Sequence, residues 1–316
     1  MIKQIKQFDS LLILTIILIG FIGIFADVYA RDPNNFLEWK ISTSKQMFYP
    51  GEPILLTLNI TNTGGEEEKI DLGIDGIEAF SMVIRDSNGI IVNEGKKIQR
   101  FGLSKPGILV VPQSKTAQKS IVLNQWCSTL LSPRKYYVTC NIEYRLRSES
   151  KRKEGSEIFK AGPLHKTQLG LDIQIVKTDK VEFKKILDTL AGFEVEPKTQ
   201  SNGEWLAARH LAREMLAFTE SELAVPYQLK MLRVEKYTRL KQDIISSLVR
   251  SETLEATNGL MQIIEDSNVY KEDIENDSIN AVYKLRDKGN PEILSATNEF
   301  VAKHKRPIIS TGADYH

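Results

Sequence analysis

Phe80-Ser81-Met82-Val83-Ile84 and Ile90-Ile91-Val92 stand on either side of Asp86-Ser87-Asn88-Gly89. Both flanks are apolar with strand-forming residues, and Asn-Gly accepts the positive φ values of tight primed turns, so residues 80–92 read as a β-hairpin. The same texture extends in both directions. Upstream, Leu37 to Ile41 starts a strand, Pro50-Gly51-Glu52-Pro53 marks a turn, and Ile54-Leu55-Leu56-Thr57-Leu58-Asn59-Ile60 runs in strand periodicity. A further turn at Asn62-Thr63-Gly64-Gly65 leads into a run of charge from Glu66 to Lys69. Downstream, strands are expected at Ile108 to Val111, Lys119 to Leu123, Tyr136 to Tyr144 and Leu169 to Val176. Short strands punctuated by turns at this spacing favour a β-sandwich.

Near residue 180 the chain changes to long segments rich in Leu, Ala, Glu and Lys. Trp205, Leu206, Leu211, Met215 and Leu216 recur at helical spacing, as do Tyr237, Leu240, Ile244, Ile245 and Leu248. The pattern continues through Leu260, Ile264, Ile279, Val282, Leu294 and Phe300. It predicts about six amphipathic helices, with breaks near Thr219, Glu235, Ser251, Val269 and Gly289-Asn290-Pro291. Within them, Glu252-Thr253-Leu254-Glu255-Ala256-Thr257-Asn258 is echoed by Glu292-Ile293-Leu294-Ser295-Ala296-Thr297-Asn298, and Leu260-Met261 by Phe300-Val301. A period of about forty residues built from paired helices resembles HEAT repeats, an α-solenoid; the alternative is an ordinary helical bundle. A helix near Val181 to Ala191 is a candidate cap for the array.

Tyr49-Pro50-Gly51-Glu52-Pro53-Ile54, followed by Leu56 to Asn62, resembles the opening strands of bacterial immunoglobulin-like domains, including the intracellular proteinase inhibitor family. Ser132-Pro133-Arg134-Lys135-Tyr136-Tyr137-Val138 is similar to the turn and penultimate strand of the same folds. The resemblance implies an immunoglobulin-like β-sandwich and says little about activity. The expected organisation is a signal peptide over 1–30, the sandwich over 31–178, a helix and linker over 179–202, a HEAT-like helical domain over 203–305 and a tail over 306–316.

The first thirty residues set the compartment. Lys3 and Lys6 precede an apolar run from Leu11 to Phe25, and Val28-Tyr29-Ala30 offers a cleavage point, the layout of a secretory signal peptide cut after Ala30. The run is short for a bilayer core of about 30 Å. Retention as an anchor over residues 11–26 is the alternative. Export to a periplasm, cell surface or medium makes a Cys127–Cys140 disulfide the default, with two buried thiols as the other reading. Lys and Arg number 42 against 41 Asp and Glu, so gross charge predicts neither a nucleic-acid nor an anionic-membrane partner.

Motifs for chemistry are sparse. GxxxxGK[ST], GxGxxG and GxSxG are absent, although a triad assembled only in three dimensions would leave no such trace. His165, His210, His304 and His316 are scattered, and no CxxC pair accompanies them, which argues against zinc. Glu265, Asp266, Glu272, Asp273, Glu275 and Asp277 invite a calcium reading but lack the EF-hand glycine and spacing; a solvated inter-helix loop is the other reading. His210 between Arg209 and Arg213 is either a pH-sensitive contact or a surface histidine, and Trp126 beside Cys127 reads as core. Arg145, Arg147, Lys151, Arg152 and Lys153 form the densest positive cluster, expected at a hairpin tip. Arg147, Lys151, Arg152 and Lys153 are thus a candidate binding tip, with the turn between the last repeats as a second. The reading is an exported, non-catalytic scaffold with a protein partner and no cofactor or metal. Its alternatives are a proteinase inhibitor acting through Lys151 to Gly155, and an enzyme whose site forms only on folding.

Overall fold

The computed structural model describes residues 29–31, 36–94, 106–127, 131–148, 160–193, 203–266 and 275–306. They fall into two compact units, one of β-strands and one of helices. Of the described residues, the β unit takes in those up to Phe48 and those between Ile54 and Lys177, and the helical unit takes in Tyr49–Pro53 and those from Thr178 onward. The strands are β1 Tyr29–Arg31, β2 Leu37–Thr43, β3 Met47–Phe48, β4 Leu55–Asn62, β5 Glu68–Ile74, β6 Phe80–Asp86, β7 Ile91–Glu94, β8 Pro106–Val111, β9 Thr116–Val122, β10 Lys135–Ser148 and β11 Lys160–Ile175.

One sheet has the order β1-β2-β4-β9 and is antiparallel throughout. The second is built around the long hairpin β10–β11, with β3 running parallel to the end of β11. The other edge of β10 is shared: Tyr136 to Ile142 pair with β6, and Arg145 and Leu146 pair with β5. β7 extends the sheet beyond β6, and β8 extends it beyond β5. Alternation along the strands puts Trp39, Leu58 and Ile60 from the first sheet into one core with Ile70, Phe80, Met82, Val138 and Leu169 from the second. Each such side chain contributes about 1.5–3 kcal/mol on burial, which makes this shared core the main reason the sheets stay together.

The hairpin at residues 80–92 forms, but with a different turn from the one expected. Of its turn residues only Gly89 takes positive φ, at 80°, so the turn is a type I pair at Ser87-Asn88 followed by a left-handed glycine. Asp86 stabilises this choice, because its Oδ1 accepts from the Asn88 and Ile90 amides at 2.9 and 3.0 Å. The second half of the charged run, Glu68 and Lys69, turns out to open β5. Gly107 on β8 lies so close to Gly73 and Gly76 that an added Cβ would stand 2.0 Å from the Gly76 amide nitrogen.

The helices are α1 Lys180–Gly192, α2 Gly203–Ala217, α3 Val225–Val234, α4 Thr238–Ser251, α5 Leu254–Glu265, α6 Glu275–Asp287 and α7 Pro291–Lys303. Their starts follow from local chemistry. Asp179 caps α1, Thr253 caps α5, and Asn290 with Pro291 opens α7. From α2 to α7 every helix packs on the next helix and on the one after it, so α2, α4 and α6 form one layer and α3, α5 and α7 another. Within a layer the C-terminal ends are tied together. Glu220 beyond α2 meets Arg250 of α4 at 2.6 Å, and Glu252 beyond α4 meets Lys288 beyond α6. In the other layer Arg233 of α3 meets Asp266 beyond α5, and Glu265 of α5 meets Lys303 of α7, both at 3.1 Å. C-terminal ends meeting C-terminal ends means that the helices of a layer run parallel. The sequence echo is visible in three dimensions, since Thr257 and Thr297 are both buried and each donates to the carbonyl four residues back.

Tyr49–Pro53, expected inside the β domain, counts with the helices: Glu220 N donates to Gly51 O at 3.0 Å, and the Tyr49 ring lies 5.9 Å from that of Phe183. Replacing Gly107 by Ala forces backbone apart at the Gly73–Gly76 turn. It is expected to lower stability by roughly 2 kcal/mol or more, read as a shifted urea midpoint for the β unit.

Candidate interaction surface

The residues singled out from the sequence are mostly absorbed into packing. Arg147 is held in the sheet, with Nε and Nη2 both donating to Asp71 Oδ2 at 3.0 and 2.8 Å, so it is not part of a loose basic tip. Lys151, Arg152 and Lys153, and with them the inhibitor loop Lys151 to Gly155, lie outside the described residues. Of the acidic stretch, Glu265 and Asp266 serve the ion pairs above, and Asp277 accepts from Gln242 Nε2 at 3.0 Å. Glu272 and Asp273 fall outside the described residues, among which no group of three or more His, Cys, Asp or Glu could hold a metal ion. His210 is exposed on α2. The turn between the last repeats is occupied by the Glu252–Lys288 pair and by the Asn290 cap.

Cys127 and Cys140 are thiols, not joined by a disulfide. Cys140 points into the core from the middle of β10, opposite Met82 and Leu169, whereas Cys127 is partly exposed with Sγ 3.8 Å from Leu123 O. Burial pushes the Cys140 thiol up to about 12, which leaves it inert near neutrality. Trp126 is 4% exposed and belongs to the core, as expected. The expected signal peptide lies outside the described residues except at its end, where β1 straddles the cleavage point after Ala30. Among the described residues no helix is long and apolar enough to cross a membrane.

A different surface stands out at the turn from α3 to α4. Val234 and Tyr237 are 58% and 66% exposed, although both are large and apolar enough to be sheltered elsewhere. Between them the Glu235 side chain is fully buried. Its Oε2 lies 3.2 Å from Arg213 Nη1 of α2, and its Oε1 accepts from the Lys236 and Tyr237 amides at 2.7 and 2.9 Å. One carboxylate therefore neutralises a nearly buried guanidinium and satisfies backbone donors at the start of α4, where the helix dipole also favours it. The result is a rigid turn that presents Tyr237 and Val234 to solvent, with exposed Lys230 and Lys236 beside them. Glu235 was legible only as a helix break, because no periodicity marks a buried charge in a turn.

No family model matches the chain, and no curated protein matches it. Among solved structures, the X-ray structure of Northeast Structural Genomics Consortium target SoR45 is similar over 44% of this chain and 88% of its own, at 20% identity. Its TM-score of 0.22 is too low to carry an argument about fold or function.

Glu235→Gln keeps an acceptor for the two amides and removes the charge that faces the Arg213 guanidinium. It should lower stability by about 3 kcal/mol in urea unfolding, with most of that recovered when Arg213→Met is added. A thiol reagent applied to the native chain should label Cys127 and reach Cys140 only on unfolding; simultaneous labelling by mass spectrometry would contradict the packing of β10.

Proposed function

We propose that this chain is an exported, non-catalytic scaffold that binds a protein partner through its helical array. The observation that carries the reading is the packing of α2 to α7, each helix on the next and the one after, with parallel helices in each layer. This is how HEAT-like solenoids build a continuous surface from units that cannot fold alone. The β unit is read as an immunoglobulin-like sandwich. In support, the Tyr136 hydroxyl at the start of β10 donates to Ser132 O, four residues upstream, at 3.0 Å, in the manner of a tyrosine corner. The partner is read as contacting the α3–α4 turn, where a pre-organised tyrosine loses little freedom on binding. Export rests on the sequence of residues 1–30 alone.

The test is in-cell crosslinking of the full chain, followed by calorimetry with the purified partner so identified. Tyr237→Ala should weaken that complex at least tenfold, about 1.4 kcal/mol, while leaving thermal unfolding unchanged. Exposed Ser295→Ala should bind like the wild type. Equal affinity for Tyr237→Ala would remove the turn from the interface. Turnover of a substrate by the purified chain would remove the non-catalytic reading.

A further inference from the structure

Tyr137 is 43% exposed on the face of β10 turned away from the core. Its ring is nevertheless held in place. A Cβ on Gly170, its diagonal neighbour on β11, would stand 1.9 Å from the Tyr137 hydroxyl oxygen and 2.5 Å from Cζ, so the ring lies down along the sheet over the glycine. Directly across the strands, Arg85 of β6 stands on one side of Tyr137 and Asp172 of β11 on the other. Two strand spacings, about 10 Å, keep that acid and that base apart. Among the described residues, neither Arg85 nor Asp172 pairs with another side chain, and the Tyr137 hydroxyl has no hydrogen-bond partner. Other polar groups on this face are satisfied. Gln168 Nε2 donates to Asn141 Oδ1 at 2.7 Å, and Glu143 meets Lys166 at 2.8 Å. The row Arg85, Tyr137 and Asp172 therefore carries no net charge and offers a guanidinium, a flat phenol and a carboxylate to whatever lies outside the chain.

We propose that the Arg85–Tyr137–Asp172 row is a binding site for an uncharged glycan, one pyranose ring lying on Tyr137 with its hydroxyls between Arg85 and Asp172. A pyranose has an apolar CH face that stacks on an aromatic ring, and a rim of hydroxyls that both donate and accept. Arg85 supplies donors only and ionised Asp172 acceptors only, so the ligand must bring both kinds of partner at opposite ends. Sugar hydroxyls do so without adding charge. An anionic polymer would meet the like charge of Asp172, and a cationic peptide that of Arg85. A purely apolar segment would strip water from both charges and return no hydrogen bond to either. Because the ring already rests over Gly170, it gives up little freedom on binding. The site belongs to the β unit and stands independently of the partner read for the α3–α4 turn.

Affinity electrophoresis of the full chain tests this, in native gels cast with hydroxyethyl cellulose, laminarin, galactomannan or glycol chitin, and with dextran sulfate as the anionic comparison. At least one neutral polymer should retard the chain, and more strongly than dextran sulfate does. Tyr137→Ala and Asp172→Ala should each weaken that affinity at least tenfold, and Tyr237→Ala should migrate like the wild type. Gly170→Ala keeps every polar group but lifts the ring off the sheet, and should weaken it at least threefold. Retardation by none of the four neutral polymers, stronger retardation by dextran sulfate, or an unchanged affinity in Asp172→Ala overturns the proposal. Asp172 is exposed and makes no side-chain contact that the fold needs, so that variant keeps the test decisive if Tyr137→Ala does not fold.

Discussion

No helix between Gly203 and Lys303 can cover its apolar face with a single neighbour. α5 buries Ala256, Thr257, Gly259, Leu260, Ile263 and Ile264, and α6 buries every residue from Ser278 to Val282 as well as Leu285. Faces that wide need contact on two sides, and a chain with short connections meets that need by packing each helix on the next and the one after. Gly259 shows how tight the fit becomes, since a Cβ there would fall 2.2 Å from Leu229 Cδ1 across the α3–α5 contact. The parallel layers follow from this packing.

The ion pairs at the helix ends act on a different scale. Glu265–Lys303 and Glu252–Lys288 are substantially exposed, and pairs of that kind contribute about 1 kcal/mol or less each. Their regular placement at C-terminal ends favours one stacking register over its alternatives, while apolar burial supplies the stability. Arg213–Glu235 differs because both groups are withdrawn from water, at 12% and 0% side-chain exposure. A pair of that kind adds little net stability over an apolar substitute but makes the loss of one partner severe. It fixes the α3–α4 turn, and through that turn the exposure of Tyr237.

Buried amides hold the less regular parts of both units. In the β unit Asn62 Nδ2 donates to Glu66 O and Val111 O at 2.7 and 3.1 Å, while its Oδ1 accepts from Gly64 N at 2.8 Å. Asn124 Oδ1 accepts from Ile54 N at 2.8 Å. In the helical unit Gln228 closes the end of α2 against α4. Each satisfies backbone groups that neither a ladder nor a helix reaches, and leaving such groups unpaired costs about 1–3 kcal/mol. None of the three was recognisable as a tie point in advance, because Asn and Gln in a sequence read as turn or surface residues.

Element type and most boundaries were legible in the chain because they depend on neighbours within a few residues. Alternation in Leu56 to Ile60, the Asp86–Gly89 turn and the 3.6-residue stripe through Leu240, Ile244 and Leu248 each carry their own signal. The breaks near Thr219, Glu235, Ser251 and Gly289 were likewise visible as caps and interruptions. Charged Glu68 and Lys69 concealed the start of β5, since an outward-facing strand residue and a loop residue look alike in composition. The thiol state of Cys127 and Cys140, the membership of Tyr49–Pro53 in the helical unit and the Glu235 clamp depend on residues far apart in the chain. Which side chains meet across such separations is set by how whole faces pack, and only the folded chain decides it.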